Sequence, residues 1–329
     1  MSLYPLCFRP VFMERVWGGR KMAELYGKAL PPDVPIGESW EISDRTDVVS
    51  VIENGPWAGR DLRWLMEQHG EALMGAAAPL NGRFPLLIKI LDARADLSLQ
   101  VHPPAAIAGS LHGDPKSEMW YVTDTAPDAR LFAGLKQGVQ QAEFEQRLQQ
   151  GTVADCFHQI PVRAGDAMWL PSGRVHGLGA GVVLFEIQQN SDTTYRVFDW
   201  NRVGLDGQPR QLHIDQAMAS IDFNDFEPGL IQSKFSRSAT VKLRFLLEDP
   251  LFSVHALQIR RGQRVYLSAP AVSVLGLVEG RLVVRHQELQ VSLRPGQFCM
   301  IPACLEKVSL TAETRVTYLQ IQAGGPQSG

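Results

Sequence analysis

Two histidines, one glutamate and one glutamine occur in three short segments whose residue types suit a divalent metal ion: Leu97-Ser-Leu-Gln-Val-His102, Lys116-Ser-Glu-Met-Trp-Tyr121 and Leu170-Pro-Ser-Gly-Arg-Val-His176. Alternation along a strand sends Ser98, Gln100 and His102 to one face of the first segment and Leu97, Leu99 and Val101 to the other. Glu118 follows His102 by 16 residues, and His176 follows Glu118 by a further 58, after a Gly-Asp turn, a strand and a second turn. Singly, each has an ordinary explanation: a wet strand face, a surface glutamate, a structural histidine. Together they supply three strong protein ligands and room for exchangeable oxygens, as a catalytic zinc site requires. Gln100, His102, Glu118 and His176 are the candidate ligands, and one Zn²⁺ per chain is expected. The same donors would accept Fe²⁺, Mn²⁺ or Co²⁺, so ligand chemistry alone leaves the metal open.

A fourth segment, from Glu186 to Arg202, carries more charge than a plain strand pair requires. Arg196 lies between Tyr195 and Val197 and must either pair, with Asp192, Asp199 or Glu186, or face a polar cavity, because burying it alone would cost several kcal/mol. Lys116 precedes Glu118 by two residues, where a cationic metal would lower its pKa and suit it to proton transfer. Lys89, inside Leu86-Leu-Ile-Lys-Ile-Leu91, is a candidate partner for an anion or for an internal carboxylate, and Arg202 is a second cationic candidate. Glu38 and Glu41 would lie on opposite faces of a strand, so at most one reaches a cavity. Trp17, Trp40 and Trp120 could wall a pocket or simply fill a core.

The elements that must position these groups are mostly strands. Short apolar runs punctuated by Gly and Pro recur at residues 39–43, 48–53, 84–93, 98–102, 118–123, 167–171, 182–188 and 194–200. Helical periodicity is confined to residues 61–74, 141–149 and 213–221. Beyond Phe226-Glu-Pro-Gly229 the pattern restarts, with strands expected at 240–247, 253–260, 265–267, 272–278, 281–285, 289–293, 298–301 and 316–321. The expected division is a catalytic domain over 1–230 with helical insertions and a smaller β domain over 231–329 without metal ligands. Residues 163–171 and 294–302 both read R-x-G-x-x-x followed by two apolar residues and Pro, a weak internal repeat whose second copy has no counterpart of His176.

Composition narrows the function classes. The chain has 329 residues, 45% of them apolar, enough for one large core or two moderate ones. A formal net charge of −3 with scattered Lys and Arg disfavours nucleic acid as a partner. Four cysteines, Cys7, Cys156, Cys299 and Cys304, match no zinc-knuckle spacing and are expected to be reduced and mostly buried. No apolar run reaches the length of a signal peptide or membrane span, so a cytoplasmic protein without membrane partners, a monomer or a homodimer, is expected.

Gly37-Glu-Ser-Trp-Glu-Ile-Ser43, Leu99-Gln-Val-His-Pro103, Lys116-Ser-Glu-Met-Trp-Tyr121, Pro171-Ser-Gly-Arg-Val-His-Gly177 and Gln188-Gln-Asn-Ser-Asp-Thr-Thr-Tyr-Arg-Val-Phe-Asp199 occur in the order found in type I mannose-6-phosphate isomerases. Over residues 4–222 the chain resembles that family, particularly its short bacterial form. The resemblance implies mainly β, cupin-type (jelly-roll) barrels and interconversion of mannose 6-phosphate and fructose 6-phosphate through an enediolate. It also implies metal ligation by Gln100, His102, Glu118 and His176, catalytic roles for Arg196 and Lys116, and substrate contacts from Ser98, Gln100, Lys116 and Arg196. Arg174 and Gly177 depart from the Thr and Ala frequent in relatives, which would retune the substrate pocket if they lined it. Two rival readings are an iron-and-dioxygen cupin, since two His and one carboxylate serve oxygenases too, and a non-catalytic sugar-binding cupin. A metal-dependent cupin acting on another sugar phosphate is a nearer variant.

Overall fold

The computed structural model describes residues 2–236, 241–268 and 270–324. Four antiparallel sheets dominate it, with a few short helices. The first sheet runs, in spatial order, Ala167–Leu170, Glu118–Thr125, Val182–Gln189, Leu86–Ala93, Val11–Gly19 and Ile36–Ile42, the last also pairing with Leu86–Ala93. The second runs Tyr195–Phe198, Leu99–Val101, His176–Leu178, Arg130–Leu135 and Phe157–Pro161.

Strand alternation gives the first sheet two faces. Ile88, Ile90, Met119, Tyr121, Phe185 and Ile187 join a core that also holds Leu62, Leu65 and Leu73 of the helix Leu62–Met74, together with the C-terminal strands. The opposite face sends Leu91, Ala93, Trp120, Val122 and Leu184 against Leu131, Ala133 and Leu178 of the second sheet. The second sheet's outer face, with Leu99, Val101, Phe132 and Val197, is covered by Phe144 of the helix Gln141–Gln149 and Ala217 of the helix Ile214–Ser220. The space between the two sheets is therefore apolar at one end. Its other end carries the polar members of the same alternation.

After residue 240 the strands Val241–Glu248, Phe252–Ile259, Val316–Ala323, Ser273–Glu279 and Phe298–Ile301 form one sheet, and Arg264–Leu267, Val308–Ala312, Leu282–His286 and Leu289–Leu293 another. Their inward residues continue the core shared with the first sheet, and backbone bridges at Leu6–Met300 and Gly75–Ala271 cross to the N-terminal half. Thr240, where the sequence pattern starts a strand, lies outside the described residues, as does the end of the chain beyond Gly324.

The weak repeat is a repeat of structure. Gly165 and Gly296 both have positive φ, +92° and +75°. In each copy the side chain following the glycine accepts from the arginine N–H, Asp166 from Arg163 at 2.9 Å and Gln297 from Arg294 at 2.8 Å. Each turn then leads into an edge strand. All three expected helices form, with Asp61 capping the first by accepting from Trp64 N–H at 2.7 Å.

Six strands fall outside the expected runs: Phe8–Arg9, Val11–Gly19, Arg130–Leu135, Phe157–Pro161, His176–Leu178 and Val308–Ala312, the last despite a strict Val-Ser-Leu-Thr-Ala alternation. Val11–Gly19 includes Glu14, Arg15 and a Gly-Gly pair: its polar groups face a cavity, Gly18 meets backbone and Gly19 meets the Asp92 carboxylate. A Cβ on Gly18 would lie 2.4 Å from Gly37 N and 2.5 Å from Ile36 C. Gly18→Ala must push that strand off its neighbour and displace the adjacent Trp17. We expect a loss of about 2 kcal/mol in chemical denaturation, and an unchanged midpoint would show that the two strands can separate without cost.

Candidate metal centre and active-site cavity

Register places the chemistry. In the second sheet Gln100 stands opposite His176 on one side and opposite Arg196 on the other, so these three side chains share a face, with His102 two residues further along. In the first sheet Lys89 lies between Trp40 and Glu186, and Glu186 lies opposite Trp120, forming one row of polar and aromatic groups. Glu118 starts its strand one pair beyond that row, opposite Gln188. Both sheets thus send their polar members to the same end of the inter-sheet space.

There His102, Glu118 and His176 converge, all essentially inaccessible to solvent, with their ligand atoms within 4.8 Å of one another. Glu118 Oε2 is 3.4 Å from His102 Nε2, and Glu118 Oε1 is 3.3 Å from His176 Nε2. His102 Nδ1 lies 2.8 Å from Thr193 O, and His176 Nδ1 lies 2.9 Å from Arg174 O. A carbonyl can only accept, so each Nδ1 carries the proton and each Nε2 lone pair points at the carboxylate. Burial, reinforced by the Lys116 ammonium, pushes the His102 imidazole down to about 3, so it is neutral. Burial alone would raise Glu118, but the Lys116 ammonium outweighs it and holds the carboxyl well below its usual range.

His102 Nε2 and Glu118 Oε1 are buried without a hydrogen-bond partner, and Glu118 Oε2 has only the Lys116 ammonium beside it. Orphaned lone pairs aimed at one point are costly in a protein interior and are what a cation would satisfy. Two ligands about 2.1 Å from one tetrahedral ion are separated by about 3.4 Å, matching both carboxylate–imidazole separations. These residues fit a divalent metal. The Gln100 amide reaches the same place, its Nε2 3.4 Å from His176 Nε2, and rotating the amide would present its oxygen instead.

Beside this trio opens a cavity of about 580 Å³ whose wall includes Ser98, Gln100, Lys116 and Arg196. Lys116 Nζ is 2.8 Å from Glu118 Oε2. Arg196 pairs with none of Asp192, Asp199 or Glu186: its Nη1 donates to Gln211 O at 2.6 Å, and its buried Nε has no partner. Burial and the nearby Arg210 guanidinium lower its pKa. Lys89 takes the second of its two expected roles, as partner of internal carboxylates. It faces the cavity and sits 3.4 Å from Glu186 and 3.8 Å from Asp192, with its ammonium 4.9 Å from the Trp40 ring centre.

Several expectations are corrected by side-chain direction. Arg202 is turned from the cavity, donating to Asp199 at 2.8 Å and to Asp96 O at 2.6 Å, because a register shift after Arg196 re-aims the chain beyond it. Arg174 is also elsewhere, forked onto Asp225 at 2.8 and 2.7 Å, so it cannot retune the pocket. Gly177 is absent from the cavity wall and packs under Leu99. Of the three tryptophans only Trp17 lines the cavity, while Trp40 and Trp120 are buried beneath it. Glu38 and Glu41 do point opposite ways, but Glu38 belongs to the cavity. The Lys89 and Arg15 cations, working against burial, push it down to about 2.

Arg15 and Arg210 are cavity residues that the sequence reading did not single out. Arg15 pairs with Glu38 at 3.0 Å, and Arg210 with Asp199. Arg15 could have been found from its alternation with Trp17. Arg210 reaches the cavity from irregular backbone after the Val203–Pro209 bridge, where no periodicity operates.

Comparison with known proteins agrees with this geometry. A family model described as the catalytic domain of type I phosphomannose isomerase matches residues 6–131. Mannose-6-phosphate isomerase ManA of Bacillus subtilis is 38% identical over 325 residues, covering 97% of this chain and 100% of the relative. The probable mannose-6-phosphate isomerase GmuF of the same organism is 35% identical over 303 residues, covering 91% and 94%. Among solved structures, the mannose 6-phosphate isomerase from Bacillus subtilis superimposes with a TM-score of 0.88 at 28% identity, covering 97% of this chain and 99% of that one. The expected cupin fold holds, and the chain belongs to the type I phosphomannose isomerase family.

Proposed function

We propose that this chain interconverts D-mannose 6-phosphate and D-fructose 6-phosphate with one Zn²⁺ bound by His102, Glu118, His176 and Gln100. The observation that carries the reading is the convergence of a buried His–Glu–His trio with Lys116 and Arg196 on one cavity of about 580 Å³, a size that takes a hexose phosphate. Two neutral imidazoles and one carboxylate favour zinc among divalent ions. When bound, the metal supplies Lewis-acid polarisation of the sugar oxygens near C1 and C2.

The chain's own residues supply the rest. The reaction moves a proton between C2 and C1 while carbonyl and hydroxyl exchange places. Lys116 Nζ, almost wholly buried at the cavity wall, is the group proposed to carry that proton. Arg196, which no carboxylate neutralises, is proposed to stabilise the negative charge developing on the sugar oxygens, a task for a permanent cation rather than a base. Ser98 and Gln100 contribute polar contacts to the substrate. Arg15 and Arg210 add the cationic donors that a phosphate ester requires.

The iron-and-dioxygen reading shares the donor set but gives no role to Lys116 and Arg196. A non-catalytic cupin has no need of an intact trio. We further propose a cytoplasmic location, a monomer or homodimer, and a domain division at 1–230 and 231–329. The separate pairing of the strands after residue 240 supports that division, and the core shared across it makes the two parts structurally interdependent.

Chelator treatment is expected to abolish fructose 6-phosphate formation from mannose 6-phosphate, and added Zn²⁺ to restore it. Chelator-resistant turnover would refute metal dependence. Glu118→Ala and His176→Ala should each lose bound metal, measured by elemental analysis, along with activity. Arg196→Ala should keep its metal while kcat drops by about 10²- to 10³-fold; a near-normal kcat would remove this residue from the mechanism.

A further inference from the structure

Cys7 and Cys299 are 292 positions apart in the chain and face each other across a backbone pairing. Leu6 and Met300 exchange both of their hydrogen bonds, Leu6 N to Met300 O at 2.9 Å and Met300 N to Leu6 O at 2.8 Å. In an antiparallel pairing the next pair along is therefore Cys7 with Cys299, at a non-hydrogen-bonded position. There Cα atoms approach to about 4.5 Å and both side chains leave on the same side. The backbone of each cysteine confirms this by bonding away from the other. Cys7 N donates to Asn54 Oδ1 at 2.8 Å and Cys7 O accepts from Glu53 N at 2.9 Å, while Cys299 pairs with Leu275 within its own sheet. The Cys299 thiol donates to Met300 O at 3.9 Å, and the Cys7 thiol beside it, together with burial, pushes its pKa well above the usual thiol value. A Cα separation of about 4.5 Å lies within the range that a disulfide spans without moving backbone.

We propose that Cys7 and Cys299 form an oxidant-responsive dithiol that closes to a disulfide and fastens the N-terminal segment to the C-terminal sheet. The order of events follows from access. Cys7 lines a second cavity, of about 520 Å³, between the N-terminal segment and the Leu289–Leu293 hairpin, whereas Cys299 is fully buried and absent from its wall. Hydrogen peroxide entering there is attacked by the Cys7 thiolate. The O–O bond breaks, one water leaves after protonation, and Cys7 becomes a sulfenic acid. The Cys299 sulfur then attacks that sulfur, the S–O bond breaks, and a second water leaves. Two thiols lose two electrons in total, and one peroxide becomes two waters. The strand Val11–Gly19, which brings Arg15 and Trp17 to the active-site cavity, begins four residues after Cys7, so the bond would tie that strand's root to the other half of the molecule.

The test uses the full-length chain with the exposed Cys304 replaced, Cys304→Ser, so that intermolecular oxidation does not interfere. After folded protein is exposed to hydrogen peroxide, thiol titration in denaturant should fall from three to one. The mass should fall by two hydrogens, and the melting temperature should rise by about 4 °C or more. Dithiothreitol should reverse all three changes, and Cys299→Ser in the same background should prevent them. Peptide mapping of the unsubstituted oxidised protein, which needs no variant to fold, should recover a linked Cys7–Cys299 peptide. Three persistent thiols, or Cys7 recovered as a sulfinic or sulfonic acid with no linked peptide, would overturn the proposal. Neither readout depends on the isomerase activity.

Discussion

A wholly buried carboxylate governs this molecule. Glu118 has no access to solvent, yet its environment keeps it ionised, and an unpaired charge in a protein interior costs several kcal/mol. The surrounding architecture can be understood as compensation. Lys116 stands on one side, two imidazole Nε2 atoms face its oxygens, and a cation between them would complete the balance. Both histidines are turned to that role by backbone carbonyls, so the fold has settled their protonation before any metal arrives.

The same logic extends along the cavity. Lys89 is buried against Glu186, Asp192 and Glu38, with Arg15 closing the chain of charges on the far side of Glu38. Burial and the neighbouring Glu118 raise Glu186, while Lys89 and Arg15 lower Glu38. Each carboxylate is tuned by a different partner, which is how one cavity can contain groups of different proton affinity at a single pH. Arg196 stands outside this neutralised network. It is a half-buried cation at the cavity wall, bonded to the Gln211 carbonyl and not to a carboxylate.

Two packed sheets make this economical. The polar groups occupy the inward positions at one end, and Leu91, Ala93, Val122 and Leu184 occupy the equivalent inward positions at the other. One face of one sheet therefore serves both as core and as site, and the apolar layer beneath keeps the charged row rigid and dry. The core that backs the first sheet continues into the C-terminal strands, so the strands after residue 240 support the site from behind while, among the described residues, none of theirs lines the cavity.

The shared face of Ser98, Gln100 and His102 was legible in the sequence because strand alternation is a local property that needs no reference to the rest of the chain. The three helices and most strands were legible for the same reason, through periodicity and turn residues. The turn chemistry of Gly165 and Gly296 likewise carried the repeat. What periodicity could not decide was where long cationic side chains end. Lys89, Arg174, Arg202 and Arg210 have similar chemistry and all pair with carboxylates, yet Lys89 and Arg210 reach the cavity and Arg174 and Arg202 do not, even though Arg202 and Arg210 share Asp199. The strand carrying Arg15 was obscured because its face is polar by function, and Gly18 is understandable only beside Gly37. The meeting of Cys7 with Cys299 belongs wholly to the tertiary structure. Residue type and spacing decide what a local segment can do, whereas contacts between distant segments arise only when the sheets pack.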